Sequence, residues 1–414
     1  MEREGASLVD RPTNISGGET LSGGMRTLLV PAGHRIRKLR KALHAELQPK
    51  MAASYEPIQL RYARRLVLSV MDNPAVHQSH CKSYAASVIM TLTYGKATPS
   101  TYTDPDVQQV NQCLARLGQV LRPGTYLVDT FPVLRYVPFY LSRLKRDHQV
   151  ELNLFRSQLN GVRNSVDAGK EVPASFAKYL LEHQKEYGLN DDETAYLAGS
   201  MFGAGSDTSA AAISIMMMAA ASFPEAQARV QEELDKVVGS NRYPTFADEP
   251  DLPQVTAFYL ECYRWRPVSV NGFAHRATND ITWRQYRIPA GAIVMGSHWC
   301  IFHDPEIFTN PDEFDPQRWM DPKTGKIRDD LRNFNFGFGR RVCPGQHVAN
   351  RSVFINTALV LWAFKISQDP AMPIDIMAFT ETVNIHPLPF KLIFELRSLK
   401  KDGIRELLAE ETGL

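Results

Sequence analysis

The chain has 414 residues, 44% of them apolar and 22% charged, and a formal net charge of +2. A chain of that size buries a large core, and so small a net charge offers no general footprint for nucleic acid. Its cysteines, at 81, 113, 262, 300 and 343, form no C-x-x-C pair and no regular framework; this argues against a zinc or disulfide scaffold and fits a reducing compartment.

The first twenty residues are polar and glycine-rich, without the apolar core of a signal peptide. Residues 8–30 read as irregular, punctuated by Gly17, Gly18, Gly23 and Gly24. From Gly33, GHRIRKLRKALHAEL reads as a helix whose basic face is His34, Arg37, Lys38 and Lys41, by default a solvated face. Two further helices are expected between Tyr55 and Gly95. Residues 126–144 are apolar and aromatic, broken by Pro132 and Pro138, which suits either core or a surface patch that dips into a bilayer.

A long helix is expected to open at Asn190, with Glu193 three residues on as a capping box, and to run about thirty residues to Pro224. Its apolar stretch, 210–223, is shorter than the ~20 residues a membrane span needs. Within it, Ala204-Gly205-Ser206-Asp207-Thr208 is costly, because Gly is ~1 kcal/mol worse than Ala in a helix interior and Asp is a poor helix former. Something other than helix propensity must favour those residues. Next come QVTAFYLECYRWRP, with Glu261 and Arg264 on one helix face, and HRATNDITWRQYRIPAGAIVMGSHW, read as a strand pair turning at Pro289-Ala290-Gly291. FDPQRW follows at 314–319, then an apolar-faced helix from His347, a last strand pair in VNIHPLPFKLIFEL, and an amphipathic surface helix in the tail from Lys400.

Between FDPQRW and that apolar helix lies FNFGFGRRVCPGQHVA, residues 334–349. Phe336, Gly337, Gly339 and Gly345 give a tight loop, and Pro344 suits the first turn of the following helix. Cys343 is thus offered at a helix N-terminus, where the dipole and the nearby Arg340 and Arg341 should favour the ionised, metal-binding sulfur. A lone cysteine is by default a buried hydrophobe, but the specified neighbours Phe336-x-x-Gly339-x-Arg341-x-Cys343-x-Gly345 reverse that reading.

That spacing resembles the haem-binding signature of the cytochrome P-450 monooxygenases, and the likeness extends from about residue 8 to 398. The resemblance implies a mainly α fold with small β sheets, with haem b between the long central helix and the helix after Cys343. Residues 1–398 would form one haem-binding domain and 399–414 a tail. Cys343 would be the axial iron ligand, with Phe336, Arg341 and Gly345 around the haem. Residues 204–208 resemble the family's oxygen-activation motif, in which Gly205 lets the backbone approach the haem, Thr208 holds a hydrogen bond to bound oxygen and Asp207 feeds protons through water. Glu261-x-x-Arg264 with Arg318 resembles a buried structural network behind the haem, in which losing any member is costly. The family has Trp-x-x-x-Arg on a haem propionate; here Ile36 replaces the Trp and Arg40 carries over, so weaker haem retention is expected. His275, five residues before Asp280, stands where a His or Arg meets a propionate, with Arg276 as the alternative. Phe202, Ala204, Val268, Val383 and Asn384 are the implied substrate contacts.

By the same resemblance, residues 126–144 match the membrane-facing substrate entrance, which favours the surface patch. The implied reaction inserts one atom of O2 into a small hydrophobic substrate, with electrons from NADPH through a reductase docked on the cysteine side, at the cytoplasmic face of the endoplasmic reticulum membrane. HRATND and FDPQRW look most like fungal members that tailor secondary metabolites. Eukaryotic members begin with a membrane anchor and a first small sheet that this sequence does not show, so strands around 281–296 are expected to lack a partner. A non-catalytic fragment is accordingly one rival reading. A peroxide-driven thiolate haem enzyme is another, and the intact Asp207-Thr208 pair argues against it.

Overall fold

The computed structural model describes residues 1–96, 100–397 and 401–409. Helices dominate: α1 (His34–Leu47), α2 (Pro49–Ser54), α3 (Glu56–Asp72), α4 (His77–Tyr94), α5 (Pro105–Val120), α6 (Ser142–Asp167), α7 (Phe176–Tyr187), α8 (Asp191–Ser222), α9 (Pro224–Val237) and α10 (Pro253–Trp265). They continue with α11 (His298–Phe302), α12 (Gln346–Ala363) and α13 (Lys401–Ala409). The strands are short: β1 (His275–Arg276), β2 (Ile281–Trp283), β3 (Tyr286–Ile288), β4 (Ile293–Val294), β5 (Phe364–Gln368) and β6 (Leu392–Leu396). They pair as three two-stranded antiparallel sheets, β1 with β4, β2 with β3 and β5 with β6.

The long helix α8 is the axis of the molecule. Both halves of its capping box form: Glu193 N–H donates to Asn190 Oδ1 at 2.8 Å, and Asn190 N–H donates to Glu193 Oε2 at 3.1 Å. It ends at Pro224, which lacks the N–H that would continue the helix, and α9 leaves at 104°. Apolar on all sides, α8 is buried over most of its length against α4, α5, α6, α7 and α12. Gly199 explains how α6 comes so close, since a Cβ there would stand 2.2 Å from the Phe155 ring. Among the described residues no single helix is long and apolar enough to cross a membrane.

Several local expectations change. Residues 8–30 are not uniformly irregular: Ile15–Leu21 form a π-helical turn, capped by Asn14 Oδ1, which accepts from Gly17 and Gly18 N–H at 2.7 Å each. Asp129 holds its first residues, accepting from Ile15 N–H at 2.7 Å and Ser16 N–H at 3.0 Å. The tight hairpin turn lies at Arg284 and Gln285, between β2 and β3, with Arg284 at φ +54°; Pro289–Gly291 instead carries the chain from β3 to β4. The edge of β1 is covered by the chain's own beginning, because Arg276 N–H donates to Asp10 O at 3.0 Å and Thr278 N–H to Ser7 O at 2.8 Å. The β2–β3 pair has no third strand among the described residues.

At the C-terminal end β6 pairs with β5, the strand directly after α12, so the last pair spans a longer separation than VNIHPLPFKLIFEL suggests. Residues 379–387 form a loop closed by a bridge between Phe379 and Pro387. Of the expected tail, 399–400 and 410–414 lie outside the described residues. The rest is α13, which buries Ile404 and Leu408 and packs on α3 instead of standing apart.

Residues 126–144 are a surface patch. Tyr136 is 79% and Phe139 88% exposed, and Leu127, Phe131, Val133 and Val137 are exposed with them. Two prolines and short 3-10 turns keep this stretch from forming a helix that would fold its apolar side inward.

Candidate active site

Cys343 sits at the end of a loop shaped by Gly337 and Gly339, at φ +84° and +52°, conformations that suit glycine alone without strain. Its N–H donates to Phe336 O at 2.8 Å, which fixes the thiol's direction. Helix α12 begins only at Gln346, so Pro344 and Gly345 form the turn before the helix and Pro344 is not in its first turn. Nor do the charges win as the sequence suggested. Burial pushes the Cys343 thiol above its usual range, outweighing the Gly345 N–H and the Arg40 guanidinium, which pull it down. Arg340 is exposed. Arg341 donates to Val9 O at 2.7 Å and Val30 O at 2.6 Å, not to the sulfur. The sulfur is therefore poised as a ligand whose proton leaves when a cation binds.

Cys343 opens onto a cavity of about 920 Å³ that residues of α8 also line. Ala204, Gly205, Asp207 and Thr208 line it, as do Val268, Val383 and Asn384. Phe202 does not: two residues from Ala204 it points to the other side of α8, fully buried with its ring edge-on to Tyr94 at 5.9 Å. Its expected substrate contact is thereby withdrawn. Gly205 has a packing reason of its own, since a Cβ there would stand 2.5 Å from Ile89 Cδ1 of α4. Thr208 Oγ1 donates to Ala204 O at 2.8 Å, within the helix. The Asp207 carboxylate faces the loop 379–387, with Oδ1 2.9 Å from His386 Nε2.

Three cations gather at the cysteine side of the cavity. Arg40 donates to Val342 O at 2.8 Å. Arg11 donates to Leu28 O at 3.1 Å, Phe273 O at 2.9 Å and Ala274 O at 2.7 Å. Arg341 completes the group. Burial first, then Arg341 and Arg40, hold Arg11 down to about 9, and burial first, then Arg40, holds Arg341 down to about 10. Among the described residues none of the three is ion-paired: Asp10, the acid acting on Arg341, is itself bound by Arg276 at 2.7 Å, while Arg26, also on the cavity wall, is paired with Glu151. That pairing removes Arg276 as a propionate ligand.

His275 is buried and its Nδ1 lies 2.5 Å from Leu8 O; burial, then Arg11, holds it down to about 4. Neutral, it donates from Nδ1 to that carbonyl and has no donor left for a carboxylate, so its expected propionate contact would require an added proton. Arg11 fits that contact better. It was missed because a lone arginine in an irregular stretch carries no spacing signal.

These residues fit a haem: a cavity-facing sulfur ligand, uncompensated cations for two propionates, and a largely apolar wall including Phe336, Ala349 and Val353. Ile36 is 3% exposed and part of the core, so it supplies packing where an indole hydrogen bond was expected.

Behind the cavity the expected charged trio forms. Arg264 Nε and Nη2 each lie 2.8 Å from the Glu261 carboxylate, both residues fully buried, and Arg318 Nε donates to Glu261 Oε1 at 3.0 Å. Trp319 Nε1 adds a donor at 2.9 Å. Arg264 also ties down Phe302 O, Pro311 O and Glu313 O, so the trio pins the segment leading to the cysteine loop.

The same assignment follows from kinship. The family model "Cytochrome P450" matches residues 3–394. Cytochrome P450 monooxygenase 64 of Postia placenta is 56% identical over 397 residues, 96% of this chain and 80% of that protein. A cytochrome P450 monooxygenase of Armillaria gallica is 37% identical over 424 aligned positions, 99% of this chain and 82% of its own length. One of Aspergillus ruber is 34% identical over 91% of this chain and 72% of its own. With a cysteine, an acid and an alcohol lining one cavity, and a family match over nearly the whole length, this chain belongs to the cytochrome P450 family of monooxygenases, oxidoreductases that carry haem b.

Proposed function

We propose that this protein inserts one atom of O2 into a C–H or C=C bond of a small hydrophobic substrate, the other atom leaving as water, with electrons from NADPH through a reductase. The observation that carries the reading is that Cys343 and the Asp207-Thr208 step line one and the same cavity. Haem b on a cysteine thiolate supplies oxygen activation, the thiolate favouring O–O cleavage. The chain supplies the rest. Cys343 would hold the iron, and Arg11, Arg40 and Arg341 would hold the propionates. Thr208 presents a hydroxyl free to turn from Ala204 O toward the cavity, Asp207 supplies a carboxylate for proton delivery, and Ala204, Val268 and Val383 give the substrate an apolar wall.

The exposed Arg37, about one turn before Arg40 on α1, and the exposed Lys41 next to it support a reductase approaching from the side where Arg40 bonds the cysteine loop. The apolar patch over 126–144 supports contact with a bilayer, and with it a place on the cytoplasmic face of the endoplasmic reticulum membrane. The likeness of HRATND and FDPQRW to fungal members that tailor secondary metabolites supports such a role for this chain.

The test is the reduced, carbon monoxide-bound spectrum followed by turnover with reductase and NADPH. The expected result is a red-shifted Soret band that Cys343→Ala abolishes, and that Thr208→Ala keeps while releasing more peroxide per NADPH. A normal band in Cys343→Ala would overturn the ligand. Product formed equally well from peroxide alone would favour the peroxide-driven enzyme.

A further inference from the structure

Asp207 is the one carboxylate among the described residues lining the cavity, and its partner is built into the fold. His386 Nε2 lies 2.9 Å from Asp207 Oδ1, and both side chains are 23% exposed. Asn384 Nδ2 stands 3.5 Å from Oδ2, at the outer limit of a hydrogen bond. The loop presenting both is tied on every side. Thr380 N–H donates to His386 O at 2.9 Å, and His386 N–H to Thr380 Oγ1 at 3.0 Å. Ile385 N–H donates to Val268 O at 2.8 Å, and Ser269 Oγ to Asn384 Oδ1 at 2.7 Å. From α4, Gln78 Nε2 donates to Pro387 O at 3.1 Å. The imidazole is therefore held against the acid by backbone bonds from three directions.

The other charged and titratable groups on the cavity wall are placed elsewhere. Arg11, Arg40 and Arg341 cluster near Cys343 with His275, and Arg26 is paired with Glu151. His298 of α11 directs Nδ1 to Ser269 O at 2.7 Å, and Lys82 of α4 is exposed at the wall. His386 is thus the basic group that the structure sets on Asp207.

We propose that His386 is a positioning residue for the monooxygenase reaction: it anchors the Asp207 carboxylate and replaces the proton that Asp207 delivers to the cavity. This rests on the function proposed above. The proton balance closes without a co-reactant. Imidazolium and carboxylate become neutral imidazole and carboxylic acid, the acid passes its proton into the cavity, and the imidazole regains one from solvent. Histidine suits the task because its charge changes near neutral pH.

Two variants of the full, haem-loaded chain separate anchoring from proton supply. His386→Gln keeps an N–H donor toward Asp207 but carries no exchangeable charge, whereas His386→Ala removes both. Product formed and peroxide released per NADPH are measured from mildly acidic to mildly alkaline pH. The expected wild-type coupling falls as pH rises through the histidine range. His386→Gln should be less coupled and independent of pH there, and His386→Ala should release several-fold more peroxide, with the ferrous carbonyl band kept in both. Independently of turnover, NMR of isotope-labelled histidine in the ferrous carbonyl form should show a hydrogen-bonded Nε2–H signal from His386 that shifts in Asp207→Asn. Matching pH profiles for wild type and His386→Gln, or a His386 signal unmoved by Asp207→Asn, would overturn the proposal. Loss of wild-type turnover would instead count against the monooxygenase reading, and the NMR comparison would still decide the pair.

Discussion

At the scale of single residues, charge without a counter-ion is the most informative feature of the site. Three arginines converge beside Cys343; burial holds each below its usual value and the other two lower Arg11 further, an arrangement that costs stability until an anion arrives. Arg11 is the member that spacing did not reveal. Arg11→Gln should weaken haem binding by about 2 kcal/mol, some thirty-fold, since hydrogen bonds to charged groups are worth roughly 1.5–3 kcal/mol. The rate of haem loss to an apo-globin acceptor measures this, and Arg11→Lys, which keeps the charge, should recover part of it. Because Arg11 also ties three backbone carbonyls, thermal stability is read separately. A fall in melting temperature with no faster haem loss would mean that Arg11 only braces the loop.

At the scale of elements, close approach and burial decide what the helices can carry. Gly199 admits Phe155 and Gly205 admits Ile89, so α6 and α4 reach α8 closely, and α4 walls the cavity with Ile89. The start of α4 brings a cost. His77 is 2% exposed among Phe390 and Phe394, and burial holds it down to about 4, against the pull of its bond to Pro74 O. The unfolded chain takes up a proton at an ordinary histidine value near 6.5, while the folded chain refuses it until about pH 4. This group's contribution is therefore fully present above about pH 6.5 and is lost as the pH falls toward 4, by at most about 3 kcal/mol. Urea unfolding of wild type and His77→Phe across that window checks it: the variant should lose less stability on acidification. Parallel declines would remove His77 as the cause.

At the scale of the whole molecule, the exposed apolar stretch is the feature that calls for a partner. Large contiguous apolar patches mark interaction surfaces, and here Phe131, Val133, Tyr136 and Phe139 stand out together while the same segment packs Val128 and Leu141 inward. Tyr136→Asp with Phe139→Asp should reduce co-sedimentation with phosphatidylcholine vesicles by several-fold and leave the ferrous carbonyl band unchanged. Equal partitioning of variant and wild type would remove the bilayer from this surface.

The sequence by itself determined what is local. The capping box at Asn190, the stop at Pro224, the glycine-rich approach to Cys343 and the i, i+3 pair Glu261–Arg264 depend on neighbours a few residues apart, and each formed as the chain predicts. Whether an apolar stretch was core or surface, which arginines would share one pocket, and which side of α8 Phe202 would face depended on elements hundreds of residues away. The Cys343 thiol shows the difference most plainly. Local charges alone favoured the thiolate, but burial by the rest of the chain outweighs them, because desolvation is set by everything packed around the sulfur. His386 follows the same rule, since nothing in the spacing of Asp207 and His386 indicates a contact that a loop closing over the cavity creates.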